Sequence, residues 1–268
     1  MNRNNRIGCL LLHGYSGSPF EMEYLGGKLR KMGYTVSIPC LPGHASSMEE
    51  FSRTRFGDWE EGAVEAYLNL EKQCDQVFVA GLSMGGSLGL LLAERFRPAG
   101  VMTMAAPVSL YRLFPFQGAD WRLPLVGFLR FIRPLWPVPL PSTESLKIAP
   151  CQGYRGMQAL HCLHSFMQGL KRVRKKLPVI QSPLLVLHAP GDRVCRVENS
   201  REIIRRAGSR HKSLELLPIM ETVTSHHLLT THIETRDRVV ELCLAFIEKF
   251  RGSKEEFETA AHGMHPAR

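Results

Sequence analysis

The sequence predicts an alternating α/β fold: a mostly parallel sheet of six or seven strands, helices on both faces, and an inserted cap. Three observations carry this. Short apolar or β-branched runs alternate with amphipathic helical stretches from Ile7 to Phe250, and such alternation builds right-handed βαβ units. The apolar runs are continuous rather than alternating, as in strands covered on both faces. Between Val108 and Pro178 the rhythm stops and then resumes, which marks an insertion (108–178) within one domain spanning 1–268.

Ile7-Gly8-Cys9-Leu10-Leu11-Leu12 reads as the first buried strand. A loop, His13-Gly14-Tyr15-Ser16-Gly17-Ser18-Pro19, precedes a helix with Met22, Leu25, Leu29 and Met32 on one face and Gly33 as its C-cap. Tyr34 to Pro39 is the second strand, followed by a Pro/Gly loop through His44. Asp58 is placed to cap a helix from Trp59 to about Cys74, with Val64, Tyr67 and Leu68 inward. Val77 to Ala80 is a strand, an apolar helix begins after Ser83, and Gly100 to Ala105 is the next strand. Within the insertion, Trp121 to Pro141 packs six prolines and glycines among Phe128, Leu129, Phe131, Ile132, Leu135 and Trp136, and a helix spans about Tyr154 to Leu177. Strand Leu184–His188, helix Asn199–Ala207, strand Leu214–Leu217 and helix Arg236–Phe250 complete the pattern. The polar tail 251–268 is expected to fray.

Composition narrows the function classes. The chain is 44% apolar and 22% charged over 268 residues, ordinary for a globular protein with a large core. No apolar run reaches the ~20 residues of a membrane span. The polar N-terminus runs straight into a strand, so no secretory signal is expected. Seven cysteines without a C-x-x-C pair read as reduced thiols, and the expected location is cytoplasmic. The net charge of +9 is concentrated: residues 108–178 hold eleven Lys and Arg against two acids, and the remainder balances at 23 of each.

The chemistry centres on Gly81-Leu82-Ser83-Met84-Gly85, the G-x-S-x-G spacing of a nucleophile elbow. The spacing alone is a weak signal in a chain with 23 glycines. Its context is specific, because a strand ends at the elbow and a helix begins there. Serine needs a base, and the base an orienting acid. Asp192 follows a strand in Leu187-His188-Ala189-Pro190-Gly191-Asp192, and His227 lies in a late loop, Ser225-His226-His227-Leu228. The order Ser83, Asp192, His227 is that of an α/β-hydrolase. Backbone N–H groups of Met84 and Tyr15 are the candidate oxyanion donors.

His13-Gly-Tyr-Ser-Gly-Ser-Pro, Gly33-Tyr-Thr-Val, Pro42-Gly-His44, Phe56-Gly-Asp-Trp59, Gly81-Leu-Ser-Met-Gly-Gly86, Gly191-Asp192 and Ser225-His-His227 together resemble the bacterial monoacylglycerol lipase and carboxylesterase family of α/β-hydrolases. The likeness runs from about Ile7 to Phe250, is dense from His13 to Phe96 and is poor in the insertion. It implies Ser83, Asp192 and His227 as the triad, with Tyr15 and Met84 binding the oxyanion. Three positions depart from the family pattern: Arg196 replaces a proline after the acid, His226 adds a second imidazole, and Ala45 replaces a glycine after His44. With a first strand at residue 7, the extra leading strands of larger members are expected to be missing.

The resulting expectation is a serine esterase for monoacylglycerols or short- to medium-chain acyl esters, with no metal and no organic cofactor. An acyl thioesterase would use the same triad. A non-catalytic receptor on this fold would show a degraded triad or a blocked oxyanion loop, and neither is present in the sequence. The expected partner is a small ester or lipid. No recognition motif supports nucleic-acid binding, and the oligomeric state is left open. The basic run Lys171-Arg172-Val173-Arg174-Lys175-Lys176, beside Trp121, Phe128, Phe131 and Trp136, marks the cap as a candidate surface for anionic membrane. The simpler reading of the run is a solvated helix end. Cys151, His161, Cys162 and His164 match no standard zinc spacing. His13 is expected to shape the oxyanion turn, and His44 to make structural hydrogen bonds.

Overall fold

A computed structural model describes residues 6–112, 117–118 and 120–252. The main sheet has six strands, all parallel, in the order β10-β9-β4-β3-β1-β2. In chain order, β1 (Ile7–Leu12) leads through α1 (Phe20–Lys31) to β2 (Thr35–Ser37) at one edge. The short α2 (Met48–Arg53) and α3 (Phe56–Glu71) return the chain to β3 (Gln76–Leu82), which pairs with the other side of β1. Then α4 (Met84–Phe96) leads to β4 (Gly100–Met104). The reversal of direction between β1 and β3 opens a crevice at their carboxyl ends, the place where open parallel sheets bind ligands.

The insertion contains a short hairpin of β5 (Tyr111–Arg112) and β6 (Gln117–Gly118), then α5 (Val126–Ile132), β7 (Leu135–Pro137) and α6 (Thr143–Ile148). β8 (Met157–Ala159) pairs antiparallel with β7, and α7 (Leu160–Lys176) follows. The sheet resumes with β9 (Leu184–His188), α8 (Glu198–Arg206), β10 (Lys212–Leu216) and α9 (Arg236–Phe250).

The four inner strands β1, β3, β4 and β9 serve both faces. In β1, Leu10 and Leu12 join the core beneath α3, α4, α7 and α8, while Ile7, Cys9 and Leu11 join the one beneath α1 and α9. Two covered faces explain why the strand runs are continuously apolar.

The sequence placed β1, β9 and α9 at their observed bounds. Elsewhere the structure corrects it. Met32 is 60% exposed, because α1 ends at Lys31 and the chain turns away through Gly33 at φ 86°. Asp58 is not the N-cap of α3; it sits three residues in and accepts the Arg55 N–H at 2.7 Å. The predicted helix from Tyr154 yields to β8, since Met157–Ala159 finds a partner strand in Leu135–Pro137. Of the tail 251–268, all but Arg251 and Gly252 lies outside the described residues.

Candidate active site

Ser83 stands between β3 and α4 with φ 52° and ψ −118°, a conformation L-residues rarely adopt. Two neighbours make the turn possible. A Cβ on Gly81 would lie 2.2 Å from the Gly85 carbonyl carbon, and one on Gly85 would lie 2.1 Å from the Leu12 carbonyl oxygen. The glycines of the motif are therefore required by contact, not merely tolerated. The Ser83 N–H donates to the Met104 carbonyl at 2.7 Å, which fastens the elbow to β4.

Asp192 lies in the turn after β9. Its Oδ1 accepts the N–H groups of Val194 and Cys195 at 2.8 and 2.9 Å, and Oδ2 lies 2.7 Å from His227 Nδ1. Burial alone would raise this carboxyl. The His227 charge and the hydrogen bonds from His188, His227 and Cys195 outweigh it and hold Asp192 well below the usual carboxylate range. An ionised carboxylate accepts only, so His227 Nδ1 carries a proton and Nε2 is left free to accept one. Burial would lower His227; Asp192 reverses this and raises the imidazole above its ordinary value. The Arg193 N–H donates to the Ser225 carbonyl at 2.9 Å, joining the acid loop to the histidine loop.

The tandem histidines diverge. His226, at φ 59°, puts Nε2 2.6 Å from the Glu221 carbonyl oxygen and its ring against Gly191. His227 instead lines a cavity of about 340 Å³ with Ser83 and Tyr15. That cavity is walled largely by apolar side chains, including Leu110, Leu123, Val126, Leu129, Trp136 and Phe166. It falls within the ~300–1,000 Å³ range of small-molecule sites.

The loop after β1 is held from two sides. The Tyr15 ring stacks on Phe166 at 5.4 Å, and its hydroxyl donates to the Ala159 carbonyl at 3.1 Å while accepting from Gln158 at 2.8 Å. His13 accepts the Leu41 N–H at Nε2 (3.2 Å) and contacts the Gly14 carbonyl through Nδ1 at 3.0 Å, tying this loop to the next. Burial lowers His13 to about 4 and His44 to about 3, so both are neutral at physiological pH. Among the described residues, neither the Tyr15 nor the Met84 N–H is taken by a protein acceptor.

Two residues near the site gave no functional signal in the sequence. His188 ends β9, fully buried; its Nε2 donates to the Cys195 carbonyl at 2.7 Å and lies 3.4 Å from Asp192 Oδ2, while Nδ1 meets the Ser200 hydroxyl. Glu21 reads as an ordinary acid in the first turn of α1, yet its Oε2 accepts the Gly14 N–H at 2.8 Å. Only tertiary contacts reveal either. Arg196 points away from the triad to Glu198 at 3.2 Å, and Ala45 takes φ 50° without its side chain entering the cavity. Cys162 lies against the Phe51 carbonyl, His161 against Phe131 and His164 against Arg130, so this cluster does not converge. Among the described residues no group of three or more His, Cys, Asp or Glu is placed to hold a metal ion.

Residues 3–221 match the family described as serine aminopeptidase, S33, a span that holds Tyr15, Ser83, Met84 and Asp192 and stops short of His227. The chain is 28% identical over 263 residues to the thermostable monoacylglycerol lipase of Bacillus sp. (strain H-257), covering 93% of each chain. It is 25% identical over 241 residues to the carboxylesterase of Bacillus subtilis (strain 168), covering 90% of this chain and 92% of that one. A solved structure from work on the metagenome-derived lipolytic enzymes LipS and LipT superposes with a TM-score of 0.79 at 27% identity, covering 91% of this chain and 94% of that one. The motif resemblance thus extends along nearly the whole chain, which belongs to the family described as serine aminopeptidase, S33, and folds as an α/β-hydrolase.

Proposed function

We propose that this protein is a serine hydrolase of carboxylic esters, acting on monoacylglycerols or short- to medium-chain acyl esters. The observation that carries the reading is the 2.7 Å contact of His227 with an ionised Asp192, beside a strained serine that opens on the same apolar cavity. Ser83 Oγ attacks the ester carbonyl as its proton passes to His227 Nε2. The oxyanion is received by the N–H groups of Tyr15 and Met84, the second favoured by the dipole of α4. The tetrahedral intermediate collapses, His227 returns the proton to the departing alkoxide, and the alcohol leaves. Water then attacks the acyl-enzyme by the same proton route, releasing the acid and restoring Ser83. The monoacylglycerol lipase and carboxylesterase names of the relatives support the leaving-group chemistry. Rates on p-nitrophenyl esters of graded chain length, beside a monoacylglycerol and an acyl-CoA, test the substrate class. Turnover of the thioester alone would overturn it.

The raised His227 sets the sign of the pH dependence. A base held above the ordinary value of 6.5 is still protonated there and cannot accept the Ser83 proton. We expect kcat/KM on a soluble ester to rise with pH through an inflection above 6.5 and then level off. An inflection below 6.5 would contradict the assignment.

Residues 108–178 serve as the cap in this reading, since Leu123, Val126, Leu129 and Trp136 close the acyl cavity. For a contact of the cap with membrane, we propose α5 rather than the basic run of α7. Arg172 pairs with Glu60 at 2.9 Å, Arg174 with Glu202 at 2.6 Å and Lys176 with Glu94 at 2.6 Å, so half the run is spent on the body of the protein. Around α5, Trp121, Phe128, Phe131 and Ile132 are each 64–70% exposed. Arg130 lies 4.5 Å from the Phe131 ring, and Arg133 5.4 Å from that of Trp136. Exposed aromatics among arginines suit an anionic lipid surface. Co-sedimentation with anionic vesicles should weaken as salt rises, because the Debye length shortens from ~10 Å at 0.1 M to ~3 Å at 1 M. It should be lost in Phe128→Ala/Phe131→Ala, which should still hydrolyse short soluble esters. Equal sedimentation of variant and wild type would remove this contact.

Among the described residues, no helix is long and apolar enough to cross a membrane.

A further inference from the structure

The mechanism leaves one buried carboxyl unused. Glu21, the second residue of α1, is 5% exposed. Its side chain folds back over the loop after β1, where Oε2 accepts the Gly14 N–H at 2.8 Å. That loop closes through the Gly17 N–H on the Gly14 carbonyl at 3.2 Å, with Ser16 at φ 54°. The loop is shaped around the carboxyl. A Cβ on Gly17 would stand 2.3 Å from Glu21 Oε1; one on Gly14 would stand 3.2 Å from Oε2 and 3.4 Å from Ser83 Cβ. The acid is therefore bonded to the peptide that precedes the one presenting the Tyr15 N–H, one residue's width from the nucleophile. A carboxyl carried into such a place costs desolvation, and a single neutral hydrogen bond offsets little of it.

The base lies on the same side. A second cavity, about 280 Å³, is lined by Glu21 and His227, and Tyr15, Ser16, Val138 and His227 line both cavities.

We propose that Glu21 is a positioning residue of this site: its carboxyl oxygen fixes the His13–Gly14 peptide, the one that precedes the peptide bearing the Tyr15 N–H in the oxyanion loop, and in its ionised form it stabilises the His227 imidazolium formed as Ser83 loses its proton. The proposal rests on the triad reading above. Burial pushes the carboxyl up to about 7, against the Gly14 hydrogen bond and the His227 charge. Glu21 is in turn one of the groups that raise His227. Each group therefore acts on the other: an ionised Glu21 raises His227, and a charged His227 lowers Glu21. The groups facing Glu21 are His227 from the loop before α9, Tyr15 from its own loop, and Cys151 and Arg155 from the segment after α6. Of these, Cys151 is a half-buried thiol raised chiefly by burial, and Arg155 is exposed at the cavity mouth. Asp192 lies on Nδ1 of the same imidazole.

The test uses the full chain with Glu21→Gln and Glu21→Ala, measuring kcat and KM on p-nitrophenyl butyrate across pH, with fluorophosphonate labelling and thermal melting as controls. Glutamine keeps an acceptor for the Gly14 N–H and loses the charge. Its kcat should stay within about tenfold of wild type, the difference between a charged and a neutral hydrogen bond, while the acid limb of kcat/KM moves to lower pH as His227 loses a raising charge. Alanine frees the loop, and kcat should fall by ~10²-fold, as for a lost oxyanion donor, with KM unchanged. Equal kcat in both variants, or a Glu21→Gln pH profile that overlays wild type, would overturn the proposal. If the alanine variant fails to melt cooperatively, the glutamine profile decides alone. Failure of the triad reading looks different: the wild-type enzyme would then not be labelled at Ser83.

Discussion

Ser83→Ala is expected to abolish ester hydrolysis, by ~10⁶-fold in kcat if the loss matches that of removing the nucleophile from other triads, without unfolding the protein. The structure separates the two effects. Ser83 keeps its place through backbone contacts: the N–H on Met104, and the glycines on either side that admit the turn. Its Oγ makes no hydrogen bond to the protein among the described residues, so nothing structural is lost with it. The melting temperature should stay close to wild type. A fluorophosphonate should label the wild-type chain on Ser83 and leave the variant unmarked. Labelling of any other serine would sink the assignment.

The second large effect distinguishes two adjacent imidazoles. His227→Ala should cost roughly 10³-fold or more, since it removes the group that accepts and returns the proton. His226→Ala should keep most of the activity. Its ring faces the Glu221 carbonyl and Gly191, away from the cavity that holds Ser83. Its loss should therefore appear in thermal stability and not in kcat. Steady-state kinetics and melting on both variants check this, and a reversed pattern would mean that the loop is wrongly registered.

What could be read from the sequence follows a physical divide. Strands β1 and β9 were legible because burial on two faces leaves an unbroken apolar run with polar or glycine ends. The elbow was legible because a backbone constraint is written locally, in glycines two residues either side of Ser83. Asp192 was proposed from its place just past a strand and His227 from a late loop and the family resemblance, and the two side chains lie 2.7 Å apart. Met32 was misjudged by one residue and Asp58 by about one turn of helix, where periodicity says which face is apolar but not where the helix starts or stops. The insertion resisted, since β8 exists only because β7 lies beside it. The charge of α7 misled for the same reason. Counted within the segment, Arg172, Arg174 and Lys176 are excess, but their partners Glu60, Glu202 and Glu94 come from α3, α8 and α4. Glu21 and His188 carry no local mark at all.

The order in which the sheet is assembled has a bearing on the birth of the enzyme. The strands that carry Tyr15 and Ser83 sit beside one another as β1 and β3, with β2 and β4 flanking them, all within the first 104 residues. The base arrives with His227, 144 residues after the nucleophile. At translation speeds of ~5–20 residues per second, roughly 7 to 30 seconds separate the two on the ribosome. During that interval the elbow has its neighbours and its strain but no imidazole, and a serine without a base is a poor nucleophile. On the proposed triad, a nascent chain of this design has its serine in place before its base is made, and gains its proton acceptor only once the loop that carries His227 is folded.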